Sequence, residues 1–233
     1  MILANVRSRL GAADLELALR ALSRRRPEQR SRYEERLAAE GPDAVLGEPE
    51  LITALRELRS LAEPSAALFV YVAVRHTLRA GGLDDPEVAD YLAALVLEFG
   101  DHDRHARIGR HDDQRYDYLV DLVADLAMDE GERGFLLRVH LGNYSLWLAG
   151  LFPDRIAARR VRAGGPDLPY YDELGRHGYD LAARHPLADR FGTAALYRTV
   201  ADRFPALRQA LNHLSDRVFF PDVATPDKIL RLM

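Results

Sequence analysis

The chain contains no cysteine. This absence excludes disulfide bonds, thiolate nucleophiles, iron–sulfur ligation and zinc sites built from cysteine. Lysine is almost absent too, because Lys228 is the only one and every other basic position of this kind is arginine. Walker A loops, protein kinases and Schiff-base enzymes each need a lysine in a set context. No glycine-rich loop precedes Lys228, so these classes are excluded as well.

Long hydrophobic runs are also missing. The longest apolar run extends from Ala66 to Val74, far short of the roughly 20 residues that span a bilayer. The N-terminal segment has no uninterrupted apolar stretch of the kind found in signal peptides. The formal net charge of −4 gives no general attraction to nucleic acids or anionic membranes. We therefore expect a cytoplasmic protein with neither nucleic acid nor membrane as a partner.

No long stretch alternates between apolar and polar residues with period two. Apolar residues recur instead at spacings of three and four, and Pro and Gly interrupt them at intervals, which is typical of helices. The sequence predicts an all-α fold, a compact bundle of roughly ten helices with no sheet. We expect one domain over residues 1–233, with residues 1–62 as an alternative, more polar helical subdomain.

Three segments carry the expectations about the interior of this bundle. The segment from Phe135 to Ala149 is apolar nearly all round, which predicts a central helix covered by others. The polar stretch from Asp101 to Gln114 predicts a surface loop. Residues 187–204 lie between prolines and are expected to form one continuous helix.

The predicted central helix contains polar residues among its apolar ones, namely His140, Asn143 and Tyr144. One interpretation is that they point into a ligand pocket between helices. The other is that they bond to neighbouring backbone or to the next helix and so fix the packing. The second is favoured, because buried polar groups usually find partners within the core.

A second candidate region runs from Pro169 to His185 and carries Gly175 and Gly178 in a helical pattern. Each mid-helix glycine costs about 1 kcal/mol against alanine, so the close approach of another helix or of a ligand should offset it. Helix crossing is the preferred explanation. Alternatively, two tyrosines at the helix start gate a ligand pocket in which arginines bind an anion. These pocket residues would be Tyr170, Tyr171, Arg155, Arg159 and Arg176.

The alternative to a metal-free ligand pocket is a metal-binding site. On a continuous helix, Glu98, Asp101, His102 and His105 would share one face, as imidazole and carboxylate ligands require. Gly100 indicates that the helix has already ended, which favours a hydrated polar loop that also holds Asp103.

The sequence contains a histidine in a predicted helix, His76, followed by the pair His102-Asp103. A later aspartate, Asp121 or Asp125, completes the pattern. This arrangement resembles the HD-type phosphohydrolases, an all-helical family that holds metal ions with such residues. The resemblance implies a metal-dependent phosphohydrolase. The sequence departs from the family pattern, because Glu98, Gly100 and Asp101 come between the apolar helix and the pair, and His111-Asp112 is a second possible pair.

The sequence lacks both the G-x-S-x-G and the H-E-x-x-H motifs. The leading hypothesis is therefore a non-catalytic helical protein, without a cofactor or metal, that binds a partner protein or a small ligand. A homodimer is a further prediction, because apolar residues gather in the C-terminal segment. They are Val218, Phe219, Phe220, Ile229, Leu230, Leu232 and Met233.

Overall fold

The structure is a computed structural model that describes residues 1–58, 64–101, 103–109, 112–116, 118–126 and 129–219. All regular elements in these ranges are helices, and the ranges contain no β-strand. The predicted all-α fold is confirmed. No helix among the same residues is long and apolar enough to cross a bilayer.

The described residues form thirteen α-helices. In chain order they are α1 Ala12–Ser23, α2 Arg30–Glu40, α3 Asp43–Leu46, α4 Leu51–Leu58, α5 Ala66–Ala80, α6 Pro86–Gly100, α7 Leu119–Leu126, α8 Glu132–Leu151, α9 Pro153–Ala163, α10 Leu168–Ala183, α11 Pro186–Arg190, α12 Ala194–Asp202 and α13 Phe204–Leu214. Single turns of 3-10 helix occur at Arg7–Arg9, Pro27–Gln29 and Arg104–Ala106, and a π-helical turn at Ser215–Phe219 follows α13.

The chain folds into two compact units. The N-terminal unit is Leu3–Leu97, and the C-terminal unit consists of Met1–Ile2 and the chain from Glu98 onward. The division lies between residues 97 and 98, beyond the alternative boundary near residue 62. One domain over the whole chain stays a prediction.

Local signals in the sequence explain the helix starts of the N-terminal unit. Ser65 precedes α5 and its hydroxyl accepts a hydrogen bond from the backbone N–H of Leu68 at 3.1 Å. Asp85 precedes α6 and accepts from the N–H groups of Glu87 and Val88 at 2.9 and 3.1 Å. These contacts satisfy amide groups that have no partner within the helix. In this unit α1 packs on α2 and α4, and α4 packs on α5.

Helix α8 is the centre of the C-terminal unit. Fifteen of its 20 residues are buried, and α7, α9, α10 and α13 pack against it. The central apolar helix expected over 135–149 is therefore present and extends by a few residues at each end. A helix that is apolar on every side is stable only when other elements cover it.

Glycines set the crossing of α8 and α10. A Cβ added to Gly178 would lie 2.8 Å from the backbone nitrogen of Gly142, and one added to Gly142 would lie 2.7 Å from the Tyr179 ring. A Cβ added to Gly175 would lie 2.3 Å from Cζ of Phe204. Close packing of helices thus explains the mid-helix glycines, as the sequence predicted.

One prediction about this unit is wrong, and another holds only in part. Residues 187–204 are not one helix, because α11 ends at Arg190 and Gly192 adopts a φ of 68° before α12 begins. The stretch 101–114 is not simply a surface loop, since Arg104 is 6% exposed and Ile108 is 3% exposed. The apolar residues within this polar stretch fold inward and draw the loop against the core.

Candidate functional site

The predicted pocket residues of α8 lie inside the core of the C-terminal unit. His140 is 3% exposed and Asn143 is 2% exposed. The hydroxyl of Tyr179, which is on α10 and fully buried, donates to Oδ1 of Asn143 at 2.7 Å. This bond joins α8 to α10 at their crossing and supports the packing interpretation of Asn143.

His140 lies in an unusual electrostatic environment. Burial lowers the pKa of its imidazole to about 3, and the positive charges of Arg104 and of the N-terminal ammonium group act in the same direction. A hydrogen bond to the backbone of His105 opposes them only in part. Its Nε2 atom is buried and has no hydrogen-bond partner among the described residues. His140 is therefore a neutral core side chain at physiological pH.

Aromatic rings surround this part of α8. His105 stacks on Trp147 at a centroid distance of 4.9 Å and on Tyr144 at 6.2 Å. Phe99 approaches Trp147 edge-on at 5.8 Å, and its ring lies tilted against that of His140 at 5.5 Å. The loop after α6 thus contributes His105 to the packing around the central helix. The polar composition of the segment predicts a hydrated loop and gives no sign of this contact.

Replacing Tyr179 by phenylalanine tests the packing interpretation. The change removes one hydroxyl and leaves the buried carbonyl oxygen of Asn143 without this donor, which should lower the free energy of unfolding by about 1 to 2 kcal/mol. Urea denaturation followed by Trp147 fluorescence measures the effect. Tyr170→Phe is the matched control, because the Tyr170 side chain is 40% exposed and should tolerate the change. Equal stability of the Tyr179 variant and the wild type would contradict the interpretation.

The predicted tyrosine–arginine set comes together in part, between α9 and the start of α10. The side chain of Asp167 caps α10 by accepting from the backbone N–H of Tyr170 at 3.2 Å. The rings of Tyr170 and Tyr171 meet edge-on at 5.8 Å. Burial raises the pKa of the Tyr171 hydroxyl, while the charges of Arg159 and Arg155 oppose that rise. Both arginines therefore lie close enough to Tyr171 to act on it.

Tyr118, which the sequence does not mark as a site residue, completes this group. The guanidinium carbon of Arg159 lies 5.1 Å from the centre of the Tyr118 ring, which is 54% exposed. Tyr118 directly precedes α7. The group is called the basic–aromatic patch below and consists of Tyr118, Arg155, Arg159, Tyr170 and Tyr171.

Arg176 lies in a different environment. It lines a groove of about 600 Å³ with other charged residues of α10, among them Asp172 and Asp180. Asp172 already accepts from Arg208 at 2.8 Å, and Asp180 pairs with Arg184 at 2.7 Å. The groove therefore carries charges of both signs, and Tyr171 and Arg155 are not among its lining residues.

The residues of the predicted metal site are only partly described. His76 lies on α5 of the N-terminal unit, Asp103 and Asp121 belong to the C-terminal unit, and His102 lies outside the described residues. Asp103 pairs with Arg115 at 2.5 Å. Within the described ranges, no group of three or more His, Asp or Glu side chains could hold a metal ion. The phosphohydrolase alternative stays a prediction.

Comparisons with protein-family models, with curated proteins and with solved structures found no match for this chain.

Proposed function

We propose that this is a non-catalytic helical protein that binds an acidic partner protein through the basic–aromatic patch. The observation that carries the proposal is the Arg159 guanidinium lying 5.1 Å from the centre of the exposed Tyr118 ring. Tyrosine and arginine are the residue types most enriched at protein interfaces. Here they occur together on one surface of the C-terminal unit.

The charge of the patch indicates the kind of partner. Arg155 and Arg159 are exposed, and neither forms an ion pair with a carboxylate in the part of the chain that the structure describes. Arg160 next to them is different, because it donates to Asp167 at 3.2 Å. Two guanidinium groups that pair with no carboxylate of the described ranges favour a partner surface that carries carboxylates, since complementary charge steers association and sets specificity.

The exposure of the two tyrosines favours a protein over a small anion. Tyr118 is 54% exposed and Tyr170 is 40% exposed, so both present ring surface that a partner could cover. Tyr171 is 5% exposed and supports the Tyr170 ring by its edge-on contact. Rings held in this way lose little conformational entropy on binding, which makes them effective anchors.

Binding of acidic peptides tests the proposal. A panel of fluorescent peptides rich in Glu and Asp, each with one or two large apolar residues, is titrated with the protein and followed by anisotropy. We expect saturable binding that weakens about tenfold in the double variant Arg155→Gln/Arg159→Gln and to a similar extent in Tyr118→Ala. Raising the salt concentration should weaken binding further, because the attraction is between exposed charges.

The matched control is Arg198→Gln, which removes an exposed arginine of α12 from the same unit and should leave affinity unchanged. Lysine-rich peptides of equal length should not bind. The proposal fails if no acidic peptide binds, or if the patch variants bind as the wild type does. Tighter binding to inorganic phosphate, anionic vesicles or DNA than to any peptide would assign the patch to a different ligand.

A further inference from the structure

The N-terminal unit contains a small cavity of about 230 Å³ beside α5. Its apolar lining includes Leu46, Val72 and Ala80. Its ionisable lining consists of Arg75, His76, Arg79 and Glu48. The Glu48 carboxylate is paired with Arg36. The volume lies below the roughly 300–1,000 Å³ of pockets that hold drug-sized ligands, so its ligand must be small.

Arg75 is the buried cation of this cavity, with a side chain that is 10% exposed. Its Nη1 atom donates to Oδ1 of Asp43 at 2.8 Å and to the Tyr71 hydroxyl at 3.1 Å. Its Nη2 atom lies 3.8 Å from Asp84, and its Nε atom has no partner among the described residues. A buried guanidinium with an unused N–H donor is costly unless a further acceptor reaches it.

Arg79 adds a second cation one helical turn later. It donates to the carbonyl oxygen of Gly47, and its Nε lies 3.4 Å from Asp84. Gly47 itself packs against Arg75, because a Cβ added there would lie 3.0 Å from Nη2. The absence of a side chain at Gly47 thus lets the two guanidinium groups and the backbone meet around one space.

We infer that this cavity binds a small monocarboxylate with an apolar body. The two guanidinium groups favour an anion, and the same charges disfavour a metal cation at His76. Asp43 and Asp84 already offset part of the positive charge of the two arginines, and Glu48 adds a carboxylate that is itself paired with Arg36. A single negative charge therefore matches the cavity better than the two of a phosphate. The apolar wall formed by Leu46, Val72 and Ala80 suits a short hydrocarbon body.

A series of carboxylates tests the assignment on the full chain. Acetate, butyrate and hexanoate are titrated into the isotope-labelled protein, and two-dimensional NMR spectra follow the amide signal of Gly47. We expect saturable shifts with affinity that rises from acetate to hexanoate, because each buried methylene strengthens binding about fourfold. Inorganic phosphate at the same concentration should neither bind nor compete.

Two variants locate the binding. Arg79→Gln should weaken hexanoate binding about tenfold by removing an exposed, charged donor, and Ala80→Leu should weaken it by filling the cavity. Arg32→Gln, at an exposed position of α2 in the same unit, is the matched control. Absence of saturable binding, equal binding of phosphate, or unchanged affinity in Arg79→Gln would overturn the inference. None of these results bears on the basic–aromatic patch.

Discussion

Replacing Gly178 by alanine is expected to lower the free energy of unfolding by about 3 kcal/mol, the upper part of the range for overpacked cores. The added Cβ would lie 2.8 Å from the backbone nitrogen of Gly142 and 2.9 Å from the carbonyl oxygen of Arg138. Both atoms belong to the backbone of α8, so no rotamer change can relieve the contact. The two helices would have to separate along their whole crossing.

Urea denaturation of the wild type and the Gly178→Ala variant measures this effect. Trp147 is the only tryptophan of the chain and is 7% exposed on α8, so its fluorescence reports on the C-terminal unit. Gly100→Ala is the matched control, because it also places alanine in a helix but its Cβ would meet nothing within 4 Å. The control should be neutral or slightly stabilising. A Gly178 variant as stable as the control would mean that the helices do not cross so closely.

The glycines show how much of this fold the sequence predicts. Gly175 and Gly178 in a helical pattern are a local cost, and a local cost indicates a compensating contact elsewhere. The sequence therefore predicts that something approaches α10 closely. It does not say which helix, because the partner, Gly142 of α8, lies 36 residues away and depends on the path of the whole chain.

The segment after α6 shows where prediction from amino-acid composition fails. Its polar composition predicts a solvated loop, yet Arg104 and Ala106 are 6% and 1% exposed. Arg104 is held by Glu98 at 3.3 Å and lies 5.7 Å from the centre of the Phe99 ring. A charged side chain can be buried when it is paired in this way, but composition alone does not reveal the partner.

The basic–aromatic patch is predictable from the sequence only in part, because some of its residues meet through tertiary structure. Tyr170, Tyr171 and Arg155 are close in sequence or lie on successive helices, so their association follows from local order. Tyr118 joins them only because α7 and α9 both pack on α8, an outcome of tertiary structure. Arg176 was placed with Tyr171 although it lies five residues further along a helix, where the two side chains point in different directions.

His140 should make the stability of the protein depend on pH. Burial lowers the pKa of its imidazole to about 3 in the folded chain, whereas an unfolded histidine has a pKa of about 6.5. The unfolded chain therefore binds a proton that the folded chain excludes. The contribution to stability is complete above pH 6.5 and is lost progressively as the pH falls below that value. Between pH 7.5 and pH 5 we expect a loss of about 2 kcal/mol, since each pH unit below 6.5 is equivalent to 1.36 kcal/mol.

Substituting His140 by leucine should flatten this dependence, because leucine has a similar volume and no titratable group. Val161→Ala, which changes an exposed residue of α9 without adding or removing a titratable group, should leave the slope of the wild type unchanged. An NMR titration gives a second measurement that does not depend on a variant folding, and the ring signals of His140 should stay constant down to pH 5. A ring that titrates near pH 6.5 would show that solvent or a hydrogen-bonding partner reaches Nε2. His140 would then face a polar pocket, and this result would favour the ligand-binding interpretation of α8 over the packing interpretation.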